Sequence, residues 1–95
     1  MSPTRLTDEE IQKSLKTLNG WTRDGDAIER KLVFDSFLDA IAFINRIATH
    51  AENADHHPEI FNVYNKVDLR LTTHDAGGLT AKDFALAAEI DGAVG

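Results

Sequence analysis

The chain of 95 residues contains no cysteine, which removes a disulfide framework, a thiolate metal site and a cysteine nucleophile from consideration. It is also short of positive charge. Sixteen acidic residues against 10 basic ones give a net charge of −6, and no basic arm or run interrupts that balance. A surface made for direct nucleic-acid contact or for an anionic membrane is therefore not expected. The opening from Met1 to Leu6 carries no apolar run resembling a signal peptide, and no window approaches membrane-spanning length. These absences lead to the expectation of a soluble, cytoplasmic protein. Internal repeats, linkers and low-complexity tracts are missing as well. What is present is 42% apolar residues in alternating patterns, enough for one modest core and hence a single domain over residues 1–95.

The order of elements follows from periodicity and punctuation. Thr7 and Glu10 have the spacing of a capping box, followed by a narrow stripe of Ile11, Leu15 and Leu18 and a stop at Asn19-Gly20. Trp21 to Phe34 reads as a hairpin turning at Asp24-Gly25, with Ile28, Leu32 and Phe34 on one side and Glu29, Lys31 and Val33 on the other. Ser36 caps a second helix to about Ala51, with a stripe of Phe37, Ile41, Ile44 and Ala48 widened by Leu38, Phe43 and Ile47. After Pro58, the segments around Phe61 and Val63, then Val67, Leu69, Leu71 and Thr73, alternate as two strands joined at Tyr64-Asn65-Lys66. One long bent strand is the alternative. Thr80, with Asp83 in the box position, caps a last helix whose expected buried face is Phe84, Ala87, Ala88 and Ile90, with a frayed tail from Gly92 to Gly95. The pattern predicts an α+β fold in the order α-ββ-α-ββ-α: a four-stranded antiparallel sheet with helices packed on one face, the other left for ligand or oligomerisation.

Chemistry concentrates between Glu52 and His74. Three of the four histidines fall there: His56 and His57 adjacent and followed by Pro58, and His74 after a β segment that a fold-back would bring near the pair. Imidazole ordinarily titrates near neutrality, so several around one cavity can donate and accept protons without a metal or cofactor. Glu52 and Asp55 are placed to orient the rings and set their tautomers. Two other readings, one plainer and one sharper, stand beside this one. A single imidazole at that corner can simply cap the preceding helix, and three neutral imidazoles can hold a zinc ion, although the spacing matches no familiar ligand motif. His50 near the end of the core helix needs no more than the helix dipole to account for it. Gly77-Gly78 reads as a turn, and the lone Trp21 as core, interface or a stacking surface.

Taken together, Glu52 with Asp55-His56-His57-Pro58, the run from Phe61 to Val67, Leu69 and Leu71 before Thr73-His74, and Gly78-Leu79-Thr80 before Asp83 resemble the pterin-4a-carbinolamine dehydratase family, whose members include a dimerisation cofactor of a homeodomain transcription factor. The likeness covers nearly the whole chain. It implies loss of water from a 4a-hydroxytetrahydropterin to give quinonoid dihydropterin, in tetrahydrobiopterin recycling for aromatic amino-acid hydroxylation, with no metal and no organic cofactor. It further implies His56 and His74 as the acid–base pair and His57 as substrate-positioning, with His56 and His57 exchangeable. Glu52 and Asp55 would orient and charge-tune them, Thr72 and Thr73 would present backbone groups to the pterin, and Trp21 and Asp83 would border the pocket. A homodimer or homotetramer is expected. Ile60 departs from the pattern, standing where animal members carry Trp, so an aromatic lining is expected to be lost. A non-enzymatic assembly or interaction module on the same fold is the second reading, since fold alone does not fix activity.

Overall fold

A computed structural model describes residues 4–94 of the chain. Met1 to Pro3 and Gly95, on which the expectations for a leader and for the last tail residue partly fall, lie outside the described residues. The elements are α1 (Asp8–Leu15), β1 (Thr22–Asp24), β2 (Ala27–Val33), α2 (Phe37–Ala54), β3 (Glu59–Val63), β4 (Lys66–Leu71), a single 3-10 turn (His74–Ala76) and α3 (Ala81–Val94). The strands form one antiparallel sheet in the order β1-β2-β4-β3. This is the α+β architecture that the pattern implies, with β2 and β4 central because each pairs on both sides.

Strand alternation decides which sheet face is covered. Ile28 lies opposite Leu71, Leu32 opposite Val67, and Ile60 opposite Leu69. Val67, Leu69, Leu71 and Ile28 are buried together with Ala40, Phe43, Ile47 and Ala51 of α2 and Leu86, Ala87 and Ile90 of α3. Phe43, with no exposed surface, contributes roughly 2 kcal/mol by leaving water. On the opposite, open face, Arg70 of β4 ties the neighbouring strands. It donates to Asp24 Oδ2 at 2.7 Å and to Glu29, with Glu59 Oε2 3.5 Å from its Nε. The hydrogen bond from Arg70 holds the Asp24 carboxyl below its ordinary range, and Asp24 in turn raises Arg70.

Several local expectations are corrected. In the first hairpin Asp24 pairs with Ala27, so the two-residue loop is Gly25-Asp26 rather than Asp24-Gly25. Gly25 takes φ +59 at the first loop position, where a side chain is disfavoured. The buried line of α2 is Ala40, Phe43, Ile47 and Ala51, while Phe37 and Leu38 are exposed and Ala48 is not buried. The arc was wide enough to hide its centre, and the small residues Ala40 and Ala51 mark where the helix comes close to its neighbours. On α3, Leu86 is buried and Ala88 is exposed, and the helix continues through Gly92 to Val94 instead of fraying. Packing of Ala93 and Val94 against the core, with Arg46 Nε donating to Ala93 O at 3.2 Å, holds that last turn. The capping box of α1 forms as expected: Glu10 N donates to Thr7 Oγ1 at 3.2 Å, and Thr7 N to Glu10 Oε1 at 2.9 Å. Trp21 lies in the core, and its Nε1 donates to Asp91 Oδ1 at 2.8 Å.

The end of α2 has a left-handed residue that is not glycine. Asp55 adopts φ 50 and ψ 42, and around it His56 N donates to Ala51 O and Asp55 N to Glu52 O, both at 3.1 Å. These two bonds are the paired closure of a Schellman motif, whose left-handed position favours glycine. Asp55→Gly is expected to raise stability by about 1 kcal/mol, and Asp55→Val to lower it by at least as much. Urea unfolding with an unchanged slope and a shifted midpoint measures both.

Candidate active site

Two chain ends of secondary structure build the site. The reversal at Asp55 throws His56 and His57 off the end of α2, and Pro58 forces the residue before it into an extended conformation that leads into β3. From the other side, β4 ends in a small closed loop. Thr73 N donates to Gly78 O at 3.1 Å and Gly78 N to Thr73 O at 3.3 Å. Within that clamp the turn from His74 to Ala76 is closed by Ala76 N to Thr73 O and by Gly77 N to His74 O, with Gly77 at φ 71. Thr72 Oγ1 donates to Asp26 O at 2.6 Å, and Leu6 N to Leu79 O at 2.8 Å, so the β1–β2 turn and the N-terminal segment brace the loop. The result is an open cavity of about 230 Å3 lined by Asp55, His56, His57, Thr72, Thr73, His74, Asp75 and Lys82. All three imidazoles singled out in the sequence face it.

The two neighbouring histidines are held very differently. His56 Nε2 lies 2.6 Å from Asp83 Oδ1, with its side chain 11% exposed and that of Asp83 fully buried. His57 Nε2 lies 2.8 Å from Glu52 Oε1, with side chains 60% and 80% exposed. The second pair is bathed in water and screened by salt, so it orients His57 only weakly. The first is a buried, charge-assisted contact.

Asp83 is the hub of a closed network. Its Oδ2 accepts from Thr73 Oγ1 at 2.8 Å and from Thr80 N at 2.9 Å. The Thr73 and Thr80 hydroxyls are 2.7 Å apart, and Lys82 N donates to Thr80 Oγ1 at 3.2 Å. A carboxylate only accepts, so the Thr73 hydroxyl donates to Asp83 and the Thr80 hydroxyl must donate to Thr73. By the same reasoning His56 donates through Nε2, and in the neutral ring Nδ1 is then the acceptor nitrogen. Among the described residues no buried side-chain nitrogen or oxygen lacks a partner, as a buried polar network requires.

The sequence-derived site is thus assembled in part and rearranged in part. Asp83 lies beneath His56 rather than at the rim, and it holds the ring that Asp55 was expected to orient. Asp55 lines the cavity, while Glu52 stands behind His57. Thr73 does not offer its backbone to a ligand, because both its N–H and its C=O are bound to Gly78. Trp21 is not at the cavity; its indole is enclosed in the core and its N–H is taken by Asp91. Ile60 does not line it either. It borders a groove of about 430 Å3 with Glu59, Phe61 and Arg70, so the missing aromatic there does not alter the histidine cavity. Asp75 and Lys82 line the site unannounced, although each stands directly beside a singled-out residue, His74 and Asp83. Among the described residues no three His, Asp or Glu side chains are arranged to hold a metal ion.

A small α+β domain with a histidine-lined cleft over a buried aspartate is the class that fold and site define. The family model described as Pterin 4 alpha carbinolamine dehydratase matches residues 4–93, and the chain belongs to that family. A protein of a Picosynechococcus strain named as a pterin-4-alpha-carbinolamine dehydratase is 52% identical over 88 residues, 93% of this chain and 96% of that one. One of Mycobacteroides abscessus with the same name is 50% identical over 90 residues, 95% and 96% of the two chains. The crystal structure of a transcriptional coactivator/pterin dehydratase from Brucella melitensis superposes with a TM-score of 0.94 at 39% identity, covering 97% of this chain and all of that one. The fold alone is shared with a pterin dehydratase-like protein identified as a RuBisCO assembly factor in the alpha-carboxysome, at a TM-score of 0.69 and 24% identity over 81% of this chain and 92% of that one.

Asp83→Ala leaves Thr73, the Thr80 amide and His56 without their acceptor in a buried place. It is expected to destabilise the fold by roughly 3 kcal/mol, since stranding buried donors costs more than the net value of each bond. Asp83→Asn, which keeps the shape and loses the charge, is expected to cost less. Chemical unfolding of the two variants side by side reads the difference.

Proposed function

We propose that this chain removes water from a 4a-hydroxytetrahydropterin to give quinonoid dihydropterin, in recycling of tetrahydrobiopterin in the cytoplasm for aromatic amino-acid hydroxylation. The reaction breaks the C4a–O bond, takes the proton from N5 and forms the N5=C4a double bond. It needs an acid to protonate the departing hydroxyl and a base to accept the N5 proton. The observation that carries the reading is the cavity shared by His56 and His74, in which His56 has one ring nitrogen tied to a buried carboxylate. With Nε2–H committed to Asp83, the Nδ1 lone pair of His56 is the base. His74, on its clamped turn, is the acid that protonates the hydroxyl. The imidazolium formed on His56 keeps its Nε2–H on Asp83 and is stabilised there. His57 positions the ring, and Thr72 is the remaining candidate to present its backbone to the pterin, as the likeness to the family suggests.

Exposed Phe37 and Leu38 on α2 and Phe61 and Val63 on edge strand β3 support assembly into two or four copies. The second reading, an assembly or interaction module without activity, draws on the fold shared with the assembly factor. An interaction scaffold has no use for a buried Asp83–His56 pair beneath an open cavity, which favours the enzyme.

Synthetic 4a-carbinolamine is expected to lose water faster with the protein present than with a variant lacking all three cavity histidines, followed by formation of the quinonoid product. His74→Ala is expected to slow turnover by roughly two to four orders of magnitude while the fold is retained. Equal rates for the protein and the histidine-free variant would leave the module as the reading.

A further inference from the structure

The network under His56 contains two hydroxyls that touch neither the cavity histidine nor any reacting atom in the mechanism above. Thr73 is 5% exposed, Thr80 1% and Asp83 0%. At this depth each hydroxyl has to be satisfied by protein, and each is, in one direction only: Lys82 N–H to Thr80 Oγ1, Thr80 O–H to Thr73 Oγ1, Thr73 O–H to Asp83 Oδ2. The asymmetry of Asp83 is what matters for chemistry. Oδ2 takes two donors, the Thr73 hydroxyl at 2.8 Å and the Thr80 amide at 2.9 Å, and Oδ1 takes His56 alone at 2.6 Å. A carboxylate free to turn would offer His56 either oxygen over a range of angles. One pinned on its far oxygen offers a single acceptor along a single line.

We infer that the Thr73 hydroxyl, itself oriented by the Thr80 hydroxyl, is a positioning device that fixes the Asp83 carboxylate and thereby the ring tautomer of His56. Thr73 is therefore a positioning residue through its side chain, whose hydroxyl is committed to Asp83 and Thr80. Thr80 acts one step further back, through Thr73, in addition to capping α3. The cost of orienting these groups is met when the chain folds, so none is met during reaction. This inference rests on His56 being the base, but its readout on the ring itself does not need turnover. The other charged or titratable groups lining the cavity beside His56 are Asp55, His57, His74, Asp75 and Lys82, and none of their side chains hydrogen-bonds to the Thr73 or Thr80 hydroxyl; Lys82 reaches Thr80 only by its backbone amide.

The test uses Thr73→Val, Thr80→Val, the double variant, and the conservative Thr73→Ser and Thr80→Ser. In protein carrying 15N-labelled histidine, the wild type is expected to show His56 protonated on Nε2 alone when neutral. Thr73→Val is expected to give a mixture of tautomers and to lower kcat/KM roughly tenfold, the scale of one buried hydrogen bond to an ionised group. Thr80→Val is expected to lower it about twofold to threefold. The double variant should match Thr73→Val alone, because the Thr80 hydroxyl is hydrogen-bonded toward Asp83 only through Thr73, its other partner being the Lys82 amide of the α3 cap. Both serine variants should restore the wild-type tautomer. A Thr73→Val protein that is folded and keeps the single Nε2–H tautomer overturns the inference, as does a double variant whose loss is the product of the two single losses. If no variant, wild type included, dehydrates carbinolamine, the functional reading fails while the tautomer measurement still decides this one.

Discussion

A carboxylate with no exposed surface sits at the junction of three elements, and the rest of the site depends on its being satisfied. Asp83 belongs to the first turn of α3, accepts from the cap of its own helix, from the end of β4 and from the corner after α2. Burying an ion without partners costs several kcal/mol. Closure of the fold over Asp83 therefore draws on Thr73, Thr80 and His56 together, which couples helix capping, the termination of the sheet and the placement of an imidazole. The same arrangement explains why two adjacent histidines differ so much: His56 completes a buried network, and His57 shares an exposed pair with Glu52.

The architecture was legible from the sequence because each element announced both its period and its ends. Thr7 with Glu10, Ser36, and Thr80 with Asp83 marked three helix starts, and all three side chains cap where expected. What the periodicity could not do was choose the centre of a broad apolar arc. On α2, six large apolar residues cover more than half the circumference, so the buried line was decided by where β4 and α3 come to lie, and it runs through Ala40 and Ala51. On α3 the apolar residues are distributed almost all round, and the periodicity picks out Phe84, Ala87, Ala88 and Ile90 without Leu86, which is buried. Tertiary packing settles such cases, and a single sequence does not contain it.

The site was legible as a set of residue types and not as a set of partnerships. Three histidines in a short span pointed to one cavity, and one cavity holds them. Which acid serves which ring depends on a contact across 27 positions, between His56 and Asp83; Asp55, next in the chain, was the natural candidate and spends its backbone on reversing the helix. Capping explained Asp83 so well on local grounds that its second oxygen went unnoticed. Trp21 shows the converse. A lone tryptophan in so small a domain reads first as core or interface, and the ring does finish inside with its N–H on Asp91; only the likeness to the family placed it at the pocket.

The N-terminal segment has a part in this that its position would not suggest. Leu6 is stitched by its amide to Leu79, and the Arg5 side chain lies so close over Gly78 that a methyl group there would come within 2.8 Å of its Cδ. These residues act as a brace across the loop that carries His74, only one or two positions before the capping box of α1. The spacing between Leu6 and Thr7 is consequently fixed from both sides. A single residue inserted between the brace and the cap would therefore force one of them to let go.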